Sequence, residues 1–149
     1  MVTVNRGTSG IEGLLAQAVG TARGLRRPTV ALVGDVTAQH DLGSLAIMAD
    51  QRPPLLLMVL QNGGGGIFRR LAARRHPDLL DPWLTAHHRV DLCAVARAHG
   101  LFARRVDQRG GLSDAIAEFL QRPEPSLLEV TVPPDGHANL VDALTGGTP

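Results

Sequence analysis

Apolar runs of strand length alternate along this chain with stretches whose apolar residues recur at helical spacing. The run 55–60 contains only apolar residues, as expected of a central strand in a parallel sheet that is covered on both faces. Because strands alternate with helices of about ten residues, the pattern predicts a three-layer α/β/α domain with a mostly parallel, doubly wound sheet. The predicted strands are residues 29–33, 55–60, 101–106 and 126–132, with a short one at 1–5.

Helical patterns fill the connections between these strands. The first opens at Ser9, which Glu12 follows three positions later, the spacing of a capping box. Three more helices are predicted over residues 41–49, 92–99 and 113–122. The apolar positions expected to face the core are, in chain order, Leu14, Leu15, Ala18, Val19, Ala22, Leu42, Leu45, Ala46, Ala49, Leu92, Val95, Ala96, Leu112, Ile116, Phe119 and Leu120.

The pattern breaks down between residues 67 and 89, where prolines and paired charges predict an irregular segment with short helical turns. Segments of this length inside a compact domain are often functional. With 149 residues the chain predicts one domain over residues 1–144, followed by a disordered tail at 145–149.

Composition and charge narrow the class of protein. A net charge of +1 gives no global attraction to nucleic acid or anionic lipid. No apolar run approaches the roughly 20 residues of a membrane span, and the N-terminus has no signal-peptide pattern, so a cytoplasmic protein is expected. The single Cys93 lies in an apolar helical pattern and predicts a small core residue. The histidines fit no zinc spacing and predict surface positions: His76, His87, His88 and His99.

Polar groups follow two of the predicted strands directly. Asp35 comes after the strand 29–33, and Asn62 with the glycine run 63–66 comes after the strand 55–60. In a parallel sheet, ligands bind beyond the carboxyl ends of the strands. A carboxylate, an amide oxygen and a glycine carbonyl suit a hard cation that also holds phosphate oxygens. The pattern predicts a magnesium–diphosphate site, with a plain helix cap at Asp35 and a flexible glycine turn as the alternatives.

Three motifs in combination resemble one enzyme family. They are Arg-Gly-Thr-Ser-Gly-Ile-Glu-Gly at residues 6–13, Gly-Asp-Val-Thr at 34–37 and Asn-Gly-Gly-Gly-Gly-Ile-Phe at 62–68. Together they resemble the C-terminal, diphosphate-binding domain of the SEPHCHC synthases, the thiamine-diphosphate enzymes of menaquinone biosynthesis. The resemblance covers nearly the whole chain. Val36 departs from the second glycine of the general thiamine-diphosphate signature, and Gln61 stands where that signature has an asparagine.

The resemblance implies the thiamine-diphosphate-binding fold and a role for ten residues. Ligands of Mg²⁺, or of Mn²⁺ in its place, would be Asp35, Asn62 and the Gly64 carbonyl. Contacts to thiamine diphosphate would come from Gly34, Val36, Thr37, Ile67 and Phe68. The catalytic positions would be Ile11, under the bent cofactor, and Arg6, facing the substrate carboxylates. The residues alone leave open a solvated charge for Arg6 and plain core packing for Phe68.

The family reaction decarboxylates 2-oxoglutarate and adds the product to isochorismate, so the resemblance implies a transferase. Its catalytic glutamate lies in a pyrimidine-binding domain that these residues do not contain. We therefore expect a C-terminal domain, split subunit or truncated product that is inactive alone. We also expect a homo-oligomer or a separate pyrimidine-binding partner, with an apolar face at Ile11, Ile67 and Phe68. Two other functions stay open: the diphosphate-binding subunit of a two-chain 2-oxo acid decarboxylase, and a non-catalytic cofactor-binding module.

Overall fold

Four parallel strands form the centre of the fold. The fold is taken from a computed structural model of the chain and is described for Val2, Val4 and residues 11–50 and 52–146. The strands pair in the order β1-β2-β4-β3, and all pairs are parallel. They span Thr29–Gly34 (β1), Leu55–Gln61 (β2), Phe102–Val106 (β3) and Ser126–Thr131 (β4). Four predicted strands are thus confirmed, and the fifth, at 1–5, lies largely outside the described residues.

Helices and short helical turns connect the strands. The α-helices are Leu14–Leu25 (α1), Asp35–His40 (α2), Leu45–Ala49 (α3), Pro77–Leu79 (α4), Leu92–Ala98 (α5), Arg109–Gln121 (α6) and Gly136–Thr145 (α7). The 3-10 turns are Leu42–Ser44, Gly66–Arg70 and Ala72–Arg75, and Leu80–Leu84 is a π-helical turn. The predicted irregular segment between 67 and 89 is therefore confirmed. Within the described part of the chain, no helix is both long and apolar enough to cross a bilayer.

The sheet packs helices against both of its faces, which gives the predicted three layers. Side chains of β2 alternate between two separate cores: Leu55, Leu57 and Val59 face one, and Leu56 faces the other. The first core also contains side chains of α1, α3 and α5, and the second contains Phe119 of α6. This alternation is the reason that β2 is apolar at every position but its last.

Two helices differ from the sequence prediction. The predicted helix at 41–49 starts earlier, at Asp35, and is broken by the 3-10 turn Leu42–Ser44. A 3-10 turn has about three residues per turn, so it shifts the phase of the following helix. Met48 is consequently buried in place of Ala46, which is exposed. On α6, Phe119 faces the sheet while the neighbouring Leu120 is 65% exposed, so its predicted burial is wrong.

The last helix, α7, has no counterpart in the sequence prediction. It follows the turn-rich residues 133–135, and its apolar Leu140 and Leu144 are 59% and 77% exposed. Because these apolar residues are exposed, α7 lacks the buried apolar face from which a helix is usually predicted. Thr145 belongs to this helix, and Gly146 caps it in the left-handed conformation, so the predicted tail at 145–149 overlaps the helix end.

The first helix is capped by a residue distant in sequence. The helix begins at Leu14 rather than at the predicted capping box, and Ser9 lies outside the described residues. Gly13 occupies the N-cap position and has no side chain to offer. The carboxylate of Asp41 instead accepts the N–H groups of Leu15 at 2.8 Å and Ala16 at 3.4 Å. This contact ties the segment after α2 to the start of α1.

An ion pair between a half-exposed arginine and a buried glutamate joins β3 and β4, at the opposite edge of the sheet from β1. Glu129 on β4 is 2% exposed, and the guanidinium of Arg105 on β3 donates to its two carboxylate oxygens at 2.8 and 3.3 Å. Cys93 packs beside them as the predicted core residue. Burial, reinforced by the neighbouring Glu129, raises the pKa of the Cys93 thiol to about 11. Cys93 is therefore protonated and unreactive near neutral pH.

We expect Asp41→Ala to lower the free energy of unfolding by about 1–2 kcal/mol, because two N–H groups at the start of α1 lose their acceptor. Asp41→Asn should keep most of the stability, since an amide oxygen also accepts these bonds. The measurement is urea denaturation followed by circular dichroism. Asp50→Ala, at an exposed aspartate, is the control and should change stability by less than about 0.5 kcal/mol. Equal stabilities of the two alanine variants would contradict the capping role.

Candidate functional site

The pairing of β1 with β2 brings the two predicted polar clusters to one edge of the sheet. The strands are parallel and in register, with Gly34 opposite Leu60 at their carboxyl ends. Asp35 directly follows β1, and Asn62 directly follows β2. This is the edge of a parallel sheet at which ligands bind.

The carboxylate of Asp35 is the centre of the cluster. It is 2% exposed, and its Oδ2 accepts the backbone N–H groups of Gly63 at 2.8 Å and Gly64 at 2.9 Å. Its Oδ1 accepts the N–H of Val36 at 2.8 Å. These bonds do more than cap a helix, because two of them come from the loop after the neighbouring strand. Asp35 thus fixes the glycine run against the start of α2.

The amide of Asn62 points into the same cluster. One of its terminal atoms lies 2.9 Å from the Gly64 carbonyl oxygen and 3.2 and 3.3 Å from the two carboxylate oxygens of Asp35. As the amide nitrogen, this atom donates to all three oxygens. As the amide oxygen, it completes a set of oxygens at nearly the spacing of an octahedral cation's ligands, about 2.8–3.0 Å for metal–oxygen distances of 2.0–2.1 Å. The donor set is therefore chemically suited to a hard divalent cation.

The glycines of the loop are required by its geometry. Gly63 has φ 86° and Gly64 has φ 138°, a region that residues with a Cβ rarely adopt. A Cβ at Gly64 would overlap the carbonyl oxygen of Thr85, and one at Gly66 would lie 2.7 Å from the Asn62 amide. The run is consequently a shaped loop rather than a flexible turn.

Residues 85–88, which we call the 85–88 strap, form a wall of the site that the sequence analysis missed. The Thr85 carbonyl accepts the N–H of Gly65 at 2.5 Å, and His87 Nδ1 donates to the Gly63 carbonyl at 2.6 Å. The His88 side chain is only 5% exposed, and its Nε2 lies 3.4 Å from Asp35 Oδ2. The predicted surface position of His88 is therefore wrong. The only sequence signal was its place in an irregular segment of functional length.

The other predicted site residues surround this cluster to different degrees. Val36 lines an open groove of about 510 Å³ together with His87 and His88 of the strap.

The ring of Phe68 packs within about 3.3 Å of the Cβ position of Gly65, so it covers the loop as well as being partly exposed. Two of the three residues of the predicted apolar face, Ile67 and Ile11, are 60% and 37% exposed. Gly34 and Thr37 flank Asp35 and Val36 at the start of α2, and Arg6 lies outside the described residues.

The fold and the site define an α/β domain with a polar, glycine-rich loop at the carboxyl edge of a parallel sheet. Residues 2–130 match the family described as "Thiamine pyrophosphate enzyme, C-terminal TPP binding domain". The chain belongs to this family, which confirms the thiamine-diphosphate-binding fold expected from the motifs. The crystal structure of benzoylformate decarboxylase from Polynucleobacter necessarius has the same fold, with a TM-score of 0.68 and 24% identity. That likeness covers 83% of this chain and 23% of the decarboxylase.

Most of the similar curated relatives carry one enzyme name. The 2-succinyl-5-enolpyruvyl-6-hydroxy-3-cyclohexene-1-carboxylate synthase of Syntrophus aciditrophicus is 41% identical over 134 residues, 90% of this chain and 23% of the relative. The synthase of Shewanella amazonensis is 39% identical over 92% of this chain and 24% of the relative. The chloroplastic protein PHYLLO of Arabidopsis thaliana is 39% identical over 77% of this chain and 7% of that protein. The chain thus spans about a quarter of the length of the synthases it matches.

We expect Gly64→Ala to lower the free energy of unfolding by roughly 3 kcal/mol or more, because it combines a strained φ with overlap at the Thr85 carbonyl. Gly20→Ala is the matched control. Gly20 lies inside α1 with open space around its Cβ position, so alanine there should raise stability by about 0.5–1 kcal/mol. Urea denaturation of both variants is the measurement. A Gly64→Ala chain as stable as the wild type would show that the loop is free to rearrange.

Proposed function

We propose that this domain binds the diphosphate of thiamine diphosphate through a divalent cation. The cation is Mg²⁺, with Mn²⁺ as a substitute, and its protein ligands are Asp35, the Asn62 amide oxygen and the Gly64 carbonyl oxygen. The observation that supports the proposal is that one terminal atom of the Asn62 amide lies 2.9 Å from the Gly64 carbonyl oxygen and 3.2 and 3.3 Å from the two carboxylate oxygens of Asp35. Three oxygen ligands leave positions for phosphate oxygens and water, the usual mode of Mg²⁺ binding at phosphates.

The proposal gives the surrounding residues contacts to the cofactor. Gly34, Val36 and Thr37 contact the diphosphate, because they flank Asp35 at the start of α2 and Val36 lines the groove. Ile67 and Phe68 contact the cofactor from the glycine loop. Ile11 supports the bent conformation of the cofactor, a role taken from the family resemblance. When bound, thiamine diphosphate supplies the carbanion chemistry of its thiazolium ring, and this domain supplies its anchoring.

We further propose that the domain serves a SEPHCHC synthase. Such an enzyme decarboxylates 2-oxoglutarate and adds the product to isochorismate, with Arg6 facing the substrate carboxylates. The names and identities of the curated relatives support this reaction over a two-chain 2-oxo acid decarboxylase. Exposed Ile11 and Ile67 suit a contact with a pyrimidine-binding domain, either within a homo-oligomer or from a separate subunit. We also propose that the protein functions in the cytoplasm.

We expect thiamine diphosphate to stabilise the chain only when Mg²⁺ is present. At ten times the dissociation constant, binding contributes about 1.4 kcal/mol, or a rise in Tm of roughly 3–6 °C for a chain of this size. Asp35→Asn keeps the shape of the side chain and removes its charge, so it should reduce the rise in Tm to less than roughly half. Thermal-shift titration with each ligand alone and with both is the measurement.

The control for this titration is Asp114→Asn, at an exposed aspartate on α6. It removes the same charge away from the site and should leave the rise in Tm at the wild-type value. A rise that does not depend on Mg²⁺, or that is equal in Asp35→Asn and the wild type, would contradict the proposed cation site.

We expect the purified 149-residue chain to form no product from 2-oxoglutarate and isochorismate. The acid that protonates the aminopyrimidine ring must lie within hydrogen-bond reach of it, and the family resemblance assigns that acid to the pyrimidine-binding domain. Within this chain, Glu129 is already paired with Arg105, and Glu118 with Arg104. Addition of a separately purified pyrimidine-binding domain should restore turnover with the wild-type chain and not with Asp35→Asn. Turnover by the chain alone would show that the acid lies within it.

A further inference from the structure

The 85–88 strap contacts the proposed cation site at three separate points, two on the glycine loop 63–66 and one on Asp35. Thr85 holds the peptide of Gly65, His87 holds the carbonyl of Gly63, and His88 lies against the carboxylate of Asp35. Thr85 is itself 2% exposed, and its hydroxyl donates to the Asp81 carbonyl at 2.8 Å. The strap is therefore held against both the glycine loop and Asp35.

His88 is the residue of the strap whose ring nitrogens are buried without a hydrogen-bond partner in the described part of the chain. Its side chain is 95% buried, and neither ring nitrogen has a hydrogen-bond partner among the described residues. Nε2 lies 3.4 Å from Asp35 Oδ2, a few tenths of an ångström beyond the hydrogen-bond range of about 2.7–3.2 Å. Buried polar atoms in proteins are almost always hydrogen-bonded, so an unpartnered imidazole facing a carboxylate indicates a function at that carboxylate.

We propose that His88 is a positioning residue for the cation site. With a cation bound, its Nε2–H donates to Asp35 Oδ2 and so fixes which oxygen faces the cation. Among backbone donors, Oδ2 already accepts the N–H groups of Gly63 and Gly64, whereas Oδ1 accepts only that of Val36. A third donor on Oδ2 leaves Oδ1 as the oxygen with lone pairs available for a metal, beside the Asn62 amide. Side chains that orient a ligand in this way contribute about 10- to 100-fold to metal affinity.

This inference rests on the proposed function, because it assumes that Asp35 binds a divalent cation. The competing explanation is that the imidazole only fills space between the strap and α2. An apolar side chain of similar size would then serve equally well. The two explanations differ in what they predict for side chains that place a donor at the Nε2 position. Glutamine can place its amide nitrogen there, whereas the shorter asparagine reaches only the Nδ1 position.

The test is Mn²⁺ affinity, measured by electron paramagnetic resonance of the free ion in the presence of thiamine diphosphate. We expect His88→Leu to raise the Mn²⁺ dissociation constant about 10- to 100-fold. His88→Gln should restore most of the affinity, and His88→Asn should not. The matched control is His76→Leu, at an exposed histidine, which should bind Mn²⁺ as the wild type does.

The outcomes separate this inference from the proposed function. A wild-type chain that binds no Mn²⁺ with the cofactor present would overturn the proposed cation site itself. Mn²⁺ binding that is equal in the wild type and His88→Leu would overturn the positioning role and leave the cation site standing. If His88→Leu lowers the Tm of the cation-free chain, the comparison of glutamine with asparagine decides. Equal dissociation constants for these two variants would then overturn the role of His88.

Discussion

The in-register parallel pairing of β1 with β2 is the constraint on which the functional edge of this domain depends. It places the residues after both strands side by side, so that the carboxylate of Asp35 can accept two consecutive N–H groups from the loop after β2. Those bonds compensate the cost of burying a carboxylate, which would otherwise be several kcal/mol. They also orient the two peptide groups that donate them, Asn62–Gly63 and Gly63–Gly64. One pairing of strands thereby determines both the burial of the charge and the shape of the loop.

The Asn62 amide can take two orientations in the polar cluster at this edge. With its nitrogen inward, the Asn62 amide donates to oxygens of Asp35 and Gly64. With its oxygen inward, the same oxygens surround a space that suits a cation. In the first orientation, the Asp35 carboxylate, the Gly64 carbonyl and the Asn62 amide are therefore hydrogen-bonded to one another without a ligand. The glycines make this possible, because Gly64 lies against the strap where no side chain fits.

The parts of the fold that follow local periodicity were predictable. The strands have uninterrupted or alternating apolar patterns, and the polar groups after two of them follow from the rule for parallel sheets. The cluster of Asp35, Asn62 and Gly64 was therefore identifiable before the fold was known. Contacts between distant segments were not predictable. Asp41 caps α1 across about 25 positions of sequence, and nothing near Gly13 indicates which side chain will do so.

The sequence by itself determined the fold class, the strand positions and the family, because each depends on residues that are close in sequence or on a motif. It also predicted the residues of the proposed cation site. Tertiary structure alone decided which histidine is buried against Asp35. His87 and His88 are adjacent and chemically identical, yet one is 54% exposed and the other is 5% exposed. The difference arises from the path of the strap, where Ala86 has φ 47° and turns the chain against the glycine loop. That path is set by packing against residues more than 20 positions away, which local pattern does not encode.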